Sequence, residues 1–192
     1  ALAPRTALLG MVRLDKPPEF LEERAREILA EAGHDRKPAD SLFAFDANGA
    51  YLDDLLRREG GKTGRWDVLE SSPPSGILFW YRQSPKELAP LNGAALGNWM
   101  TDPPESAPGM ATVGLDPEGR LISLLVVPGE RTAPESNPAE VDWEPLLRAT
   151  GVDAKTLAPV PAEWAPPVFA DQRAAWTASW PGKPGVPIRI EA

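Results

Sequence analysis

Gly76-Ile77-Leu78-Phe79-Trp80-Tyr81-Arg82-Gln83-Ser84-Pro85 decides how this chain folds, because it crowds three aromatic rings into one apolar run and closes it with proline. Aromatic and branched side chains suit a pleated, packed surface, and proline cannot continue a hydrogen-bond ladder. The run reads as a β-strand. Side chains along a strand alternate between its faces, so Ile77, Phe79 and Tyr81 share one face while Leu78, Trp80 and Arg82 share the other. The first set is assigned to a core. Trp80 and Arg82 are left for a partner.

Downstream, Gly, Pro and Asn punctuate the chain from Pro85 to Pro108, which predicts a long irregular region. Met110–Leu115 and Arg120–Val127 then flank Asp116-Pro117-Glu118-Gly119, a turn sequence between two apolar runs, and so form a hairpin. Three adjacent antiparallel strands are expected. Upstream, Ser41–Asp46 alternates as a short strand, Asp46-Ala47-Asn48-Gly49 supplies turn chemistry, and Tyr51–Arg58 has helical spacing that stops at Gly60-Gly61. The strongest helical pattern begins at Lys16-Pro17-Pro18-Glu19, repeats through Phe20, Leu21, Ala25, Ile28, Leu29 and Ala32, and stops at Gly33. Its polar face mixes Glu22, Glu23, Arg24, Arg26, Glu27 and Glu31, the pattern of a solvated surface laced with local ion pairs.

Beyond a Pro-rich linker at 131–140, Val141–Ala149 predicts a short helix with Asp142 as N-cap, and Gln172–Trp180 and Val186–Ile190 predict two strands around Pro181–Gly185. This order echoes the first half, with a helix ending near a glycine and leading to an aromatic strand. The fold class is therefore α+β, helices packed on mainly antiparallel sheet, in two related helix-plus-sheet units at 1–130 and 141–192. The second is smaller, and its sheet is expected to be cut short at Ala192.

The chain has 192 residues, 42% hydrophobic and 25% charged, which is the composition of a globular protein with a core. Its 23 prolines, about 12% against an average near 5%, call for short elements and edge strands. A net charge of -8 argues against nucleic acid or an anionic membrane surface, since phosphate binding rests on clustered Lys and Arg. The absence of Cys excludes disulfides, thiolate metal sites and thiol nucleophiles. The N-terminal segment Ala1–Val12, broken by Pro4 and Arg5, is too short for a membrane helix, and a chain without an initiator Met is expected to be a piece of something longer.

Chemistry-bearing motifs are few. A Ser-His-Asp triad would have to use His34, the single imidazole, whose place after a helix C-terminus fits capping better. Gly60-Gly61-Lys62-Thr63 matches the end of a phosphate loop, but Leu56 stands where its first glycine belongs. Carboxylate pairs drawn from Asp46, Asp53, Asp54, Asp67 and Glu70 could serve a hydrolase, although 28 acidic residues make close pairs common on any solvated face. No Asp-x-Asp-x-Asn-Gly calcium loop occurs. No catalytic residue, metal site or cofactor is assigned. Seven tryptophans remain, and of these Trp80 and Trp176, with Arg82 and Arg173 beside them, are the candidate ligand contacts.

Lys16-Pro17-Pro18-Glu19 and its helix, Phe79–Pro85, Pro108-Gly109-Met110 before Leu115–Leu121, and Pro167-Val168-Phe169-Ala170-Asp171-Gln172-Arg173-Ala174-Ala175-Trp176 together carry a resemblance. The chain resembles the region after the membrane helix in a group of bacterial transmembrane serine/threonine protein kinases. That resemblance covers most of the chain and implies an extracytoplasmic module, tethered through its parent protein, with the kinase domain N-terminal to it across the membrane. The kinase signatures themselves are missing: there is no Gly-x-Gly-x-x-Gly loop, no His-Arg-Asp and no Asp-Phe-Gly, and Ala133-Pro134-Glu135 stands alone in the linker. The expected function is a non-catalytic sensor that binds a small ligand, a cell-wall fragment or a protein. The alternatives are a spacer that forms a homodimer and a carboxylate-dependent hydrolase of the cell envelope.

Overall fold

The computed structural model describes residues 14, 16–59, 69, 74–91, 100–129, 141–166 and 170–192. The Gly60–Thr63 motif, Trp66, Asp67, Glu70, Trp99 and the linker at 131–140 lie outside the described residues. The chain divides into two compact units, 1–135 and 136–192. Both are α+β.

Helix α1 (Pro18–Glu31) starts where the sequence places it, with proline in its first turn and Glu19 beside its positive end. Leu21, Ala25, Ile28 and Leu29 form its buried stripe. At the other end, Gly33 takes the left-handed conformation at φ 82°. Its N–H bonds Ala30 O at 2.9 Å, and that of His34 bonds Leu29 O at 2.7 Å, which closes the helix in a Schellman motif. His34 thus caps through its backbone. The polar face carries the expected ion pairs, Arg26–Glu22 at 2.6 Å and Arg24–Glu27 at 3.0 Å.

Strands β1 (Asp40–Ala47), β2 (Ile77–Ser84), β3 (Ala111–Leu115) and β4 (Leu121–Val126) form an antiparallel sheet in the order β1-β2-β3-β4. Helix α2 (Gly49–Glu59) follows β1 and begins two residues before the apolar spacing does. Asn48 explains the early start, because its Oδ1 accepts the N–H of Tyr51 at 3.3 Å as a cap. On one face of the sheet, Phe45 and Leu115 lie directly opposite Phe79 from either side. The Phe79 ring also packs 5.5 Å from Phe43 and 5.4 Å from Phe45. Helix α1 lies against β2 and β3. Tyr51, Leu52 and Leu55 of α2 gather with Phe45, Leu69 and Ile77.

The second face is covered too. The irregular chain that follows β2 turns back through Ser84 Oγ, which accepts the N–H of Lys86 at 3.1 Å. Two carboxylates then hold this chain in place. Asp40 accepts the N–H of Leu88 at 2.9 Å, and Asp102 accepts that of Leu91 at 2.8 Å. Trp80 keeps only 4% of its surface exposed and Arg82 none. The aromatic strand is therefore interior on both sides.

The β3–β4 hairpin matches its sequence signal. Asp116 Oδ1 accepts the N–H groups of Glu118 at 3.1 Å and Arg120 at 2.9 Å, while Arg120 Nε meets Asp116 Oδ2 at 2.6 Å. Gly119 adopts φ 87° in this turn, and a Cβ there would lie 3.5 Å from the Phe20 ring and 3.7 Å from Leu21 of α1. The turn is thus pressed against the helix where only glycine is unstrained.

The second unit begins with α3 (Glu144–Ala149), whose N-cap is Trp143 rather than the expected Asp142. Asp142 acts one position earlier, accepting the N–H of Glu144 at 3.0 Å. A 3₁₀ turn at Ala154–Thr156 leads to β5 (Ala158–Val160), β6 (Ala175–Trp180) and β7 (Lys183–Glu191), an antiparallel sheet with β6 in the centre. Strand β5 has no sequence signal, since three residues centred on Pro159 show no alternation. Its prolines fall where they are tolerated, in β5 and β7 at the two edges.

The substitution Gly119→Ala is expected to lower the unfolding free energy by about 1 to 2 kcal/mol, the cost of forcing a Cβ-bearing residue into left-handed space. Gly49→Ala, where a Cβ meets nothing within 4 Å, is the control and should leave the urea midpoint unchanged or slightly raised.

Candidate functional site

Of the four candidate contacts, Trp80 and Arg82 belong to the first unit and Arg173 and Trp176 to the second. Burial corrects the assignment of the first pair. Arg82 Nη2 donates to Pro103 O at 2.5 Å, and Nε lies 3.5 Å from Glu105 Oε1. Glu105 Oε1 in turn accepts from Thr112 Oγ1 at 2.8 Å, and Thr112 stands directly opposite Arg82 on β3. Burial pulls the guanidinium below its ordinary pKa, and the nearby charges of Glu105 and Asp102 act against that pull. Arg82 stays a cation and fixes the covering segment to the sheet. Trp80 and Arg82 thus build the interior of the first unit. They offer no surface to a ligand.

The second pair divides. Trp176 is half-buried and meets Trp143 edge to face, with ring centroids 6.2 Å apart at 67°. This is the packing geometry aromatic rings prefer. Arg173 is exposed, and its Nη2 donates to the backbone oxygen of Trp164. It leads to Trp164, an indole that belongs to no strand or helix.

Trp164 is 71% exposed, yet the loop that carries it is held on several sides. Arg189 Nη2 donates to Pro161 O at 2.5 Å, and Arg189 Nη1 lies 3.6 Å from Glu163 Oε1. The Glu191 carboxylate receives Arg189 Nε at 2.6 Å and the N–H of Glu163 at 3.2 Å. It also receives the N–H of Trp164. Desolvation pushes the Glu191 carboxyl up, but the Arg189 hydrogen bond and the two backbone N–H groups outweigh it and hold the group below its usual range. Three side chains, Arg173, Arg189 and Glu191, therefore fix a backbone that displays an indole to solvent.

A signal for this loop does exist in the sequence. Trp164 lies in Pro161-Ala162-Glu163-Trp164-Ala165-Pro166, where neither helical nor strand periodicity assigns it to a core. Alternation sorts aromatic residues only within strands, and Trp164 lies outside any strand.

Two of the carboxylates considered for a hydrolase, Asp54 and Asp46, are engaged locally. Asp54 is engaged by Arg58 at 2.7 Å, and Asp46 Oδ1 accepts the N–H of Ala47 at 2.8 Å. Asp116 and Glu118 both bind Arg120 in the hairpin turn, where burial and then Asp116 push the Glu118 carboxyl up. Among the described residues no group of three or more His, Cys, Asp or Glu could hold a metal ion, and no helix is long and apolar enough to cross a membrane. Against protein-family models, curated proteins and solved structures, the chain finds no match.

Arg82→Ala should cost about 3 to 5 kcal/mol in urea unfolding, because it strips a buried ion pair of one partner. A loss below about 1 kcal/mol, within the range of ordinary surface substitutions, would contradict the interior role. A second expectation concerns pH. A carboxyl whose folded pKa is lowered stabilises its structure above the unfolded value, near 4.5 for Glu191, and loses that contribution as pH falls through the folded value. Amide exchange at Glu163 and Trp164 should therefore accelerate on acidification below that value, beyond the intrinsic pH trend. Glu191→Gln should flatten the response.

Proposed function

We propose that this chain is a non-catalytic, extracytoplasmic sensor or partner-binding module of a membrane-anchored bacterial serine/threonine kinase, and that the Trp164 loop of the second unit is its contact surface. The kinase affiliation rests on the resemblance of the residues quoted above. The contact surface rests on one observation: an indole left 71% exposed on a backbone fixed by Arg173, Arg189 and Glu191. Flexible loops lose conformational entropy when they bind, whereas a loop already held in place keeps most of its interaction energy as affinity. Tryptophan and arginine are also the residue types that most often dominate interfaces.

The chemistry favoured is a ligand with an apolar face for the indole and acceptor groups for the adjacent Arg173. A sugar ring of a cell-wall fragment and a peptide both meet that description. The ligand would act by population shift, favouring whichever arrangement of the module binds it better.

Calorimetric titration with soluble cell-wall fragments, oligosaccharides and short peptides tests this reading. Trp164→Ala should abolish any binding found while keeping the unfolding free energy within about 0.5 kcal/mol of the parent, as an exposed substitution does. Binding that survives Trp164→Ala, or no binding across the whole panel, sinks the assignment.

A further inference from the structure

Among the described residues the two sheets have four edge strands, and three of these carry features that oppose pairing. Edge strand β1 carries Asp40 and Asp46; β5 is three residues long with Pro159 at its middle; β7 contains Pro184, Pro187, Arg189 and Glu191. Charges, prolines and short length are the devices that keep an edge from adding another strand. Strand β4, Leu121-Ile122-Ser123-Leu124-Leu125-Val126, has no charge and no proline. One extra residue is accommodated near its hairpin end, where Leu115 faces Leu121 but Gly114 faces Ser123. From Ser123 onward the register is regular.

The outer side of β4 has no strand hydrogen-bonded to it among the described residues. Val127 directs its N–H inward to Met110 O at 2.8 Å, so by alternation Leu124 and Val126 direct theirs outward. Ile122 is 41% exposed, Ser123 is exposed, and Leu124, Leu125 and Val126 are half-exposed. An extended, uncharged, largely apolar edge whose outward backbone groups pair with no described strand is suited to strand addition.

We infer that β4 pairs antiparallel with β4 of a second copy of this chain, joining two four-stranded sheets into one. Two observations favour a second copy over a foreign strand. The sequence is self-complementary: reversed against itself about Leu125, it sets Leu124 opposite Val126, the two residues whose backbone groups point outward, and Leu125 opposite its own copy, apolar against apolar. The strand itself carries no charge on a chain of net charge -8, so pairing along it sets no like charges directly opposite one another. β4 belongs to the first unit, and the inference does not depend on the Trp164 loop.

Edge pairing buries little surface, so the dimer is weak and salt-sensitive in an unusual direction. Screening weakens like-charge repulsion while leaving a neutral edge untouched, so association strengthens as ionic strength rises. The test is sedimentation of the full chain from about 1 to 500 µM, a range suited to the small interfaces of transient complexes. The expected result is a monomer–dimer equilibrium that tightens with salt and slows amide exchange at Leu124 and Val126. The double variant I122K/S123K, at exposed positions, should weaken association by about tenfold or more without changing the circular dichroism, because edge lysines oppose pairing. Three outcomes overturn the inference: a monomer at every concentration, a dimer unaffected by I122K/S123K, or protection of Leu124 and Val126 only when an extended apolar peptide is added to a monomeric chain.

Discussion

A guanidinium with no exposed surface stands at the centre of the first unit, and the fold around it follows from the need to keep that charge company. Stripping an arginine of water costs several kcal/mol unless acceptors replace what the solvent supplied. Here the compensation comes from chain more than twenty residues further on: the Pro103 carbonyl accepts from Nη2, and the Glu105 carboxylate supplies the opposite charge 3.5 Å from Nε. The described residues of that stretch form no helix or strand, so no regular ladder holds them. Arg82, with the Asp40 and Asp102 bonds to Leu88 and Leu91, holds it across the sheet in their place. The polar groups thus do for an irregular covering layer what a buried apolar stripe does for α1.

This explains which parts of the fold were legible. Helix α1, the β3–β4 hairpin and the central aromatic strand announce themselves locally, through Pro18 and Gly33 at the ends of one apolar stripe and Asp116–Gly119 between two apolar runs. Each depends on neighbours within a few residues. The covering segment depends on partners such as Asp40, 48 residues from the Leu88 N–H it accepts. Long-range pairing of this kind leaves no periodic trace. Alternation correctly placed Trp80 and Arg82 on one face, but the step from face to solvent assumed a sheet wet on one side. A covering loop removes that assumption.

The second unit uses its charges in the opposite way. Its strands are edged by proline, and its aromatic contact, Trp143 on Trp176, leaves both rings half-buried. Arg189 and Glu191 sit on the edge strand β7 and face out to the Pro161–Trp164 loop rather than into a core. The same two ionic residues therefore protect an edge and hold a loop. The proline-flanked setting of Trp164 marks it as lying outside a strand or helix, but its fixed display depends on Arg189 and Glu191, more than twenty residues later, whose charges look like ordinary edge decoration in the sequence.

A loop clamped in this manner constrains how any signal could arise. Binding at a backbone that is already fixed selects among few conformations, so the loop by itself offers recognition without a switch. A sensor still needs an element with two states whose balance the ligand shifts by differential affinity. Neither the Arg82 interior nor the Arg189 clamp has the character of such an element, since both lose charge-assisted bonds on opening. Association does have two states, and its weakness is then an advantage: an equilibrium poised near balance at working concentration responds to a bias of 1 to 2 kcal/mol, about one order of magnitude in its constant, where a tight dimer would not. If the module is the proposed sensor, the edge association inferred for the first unit is the two-state element that recognition in the second would bias.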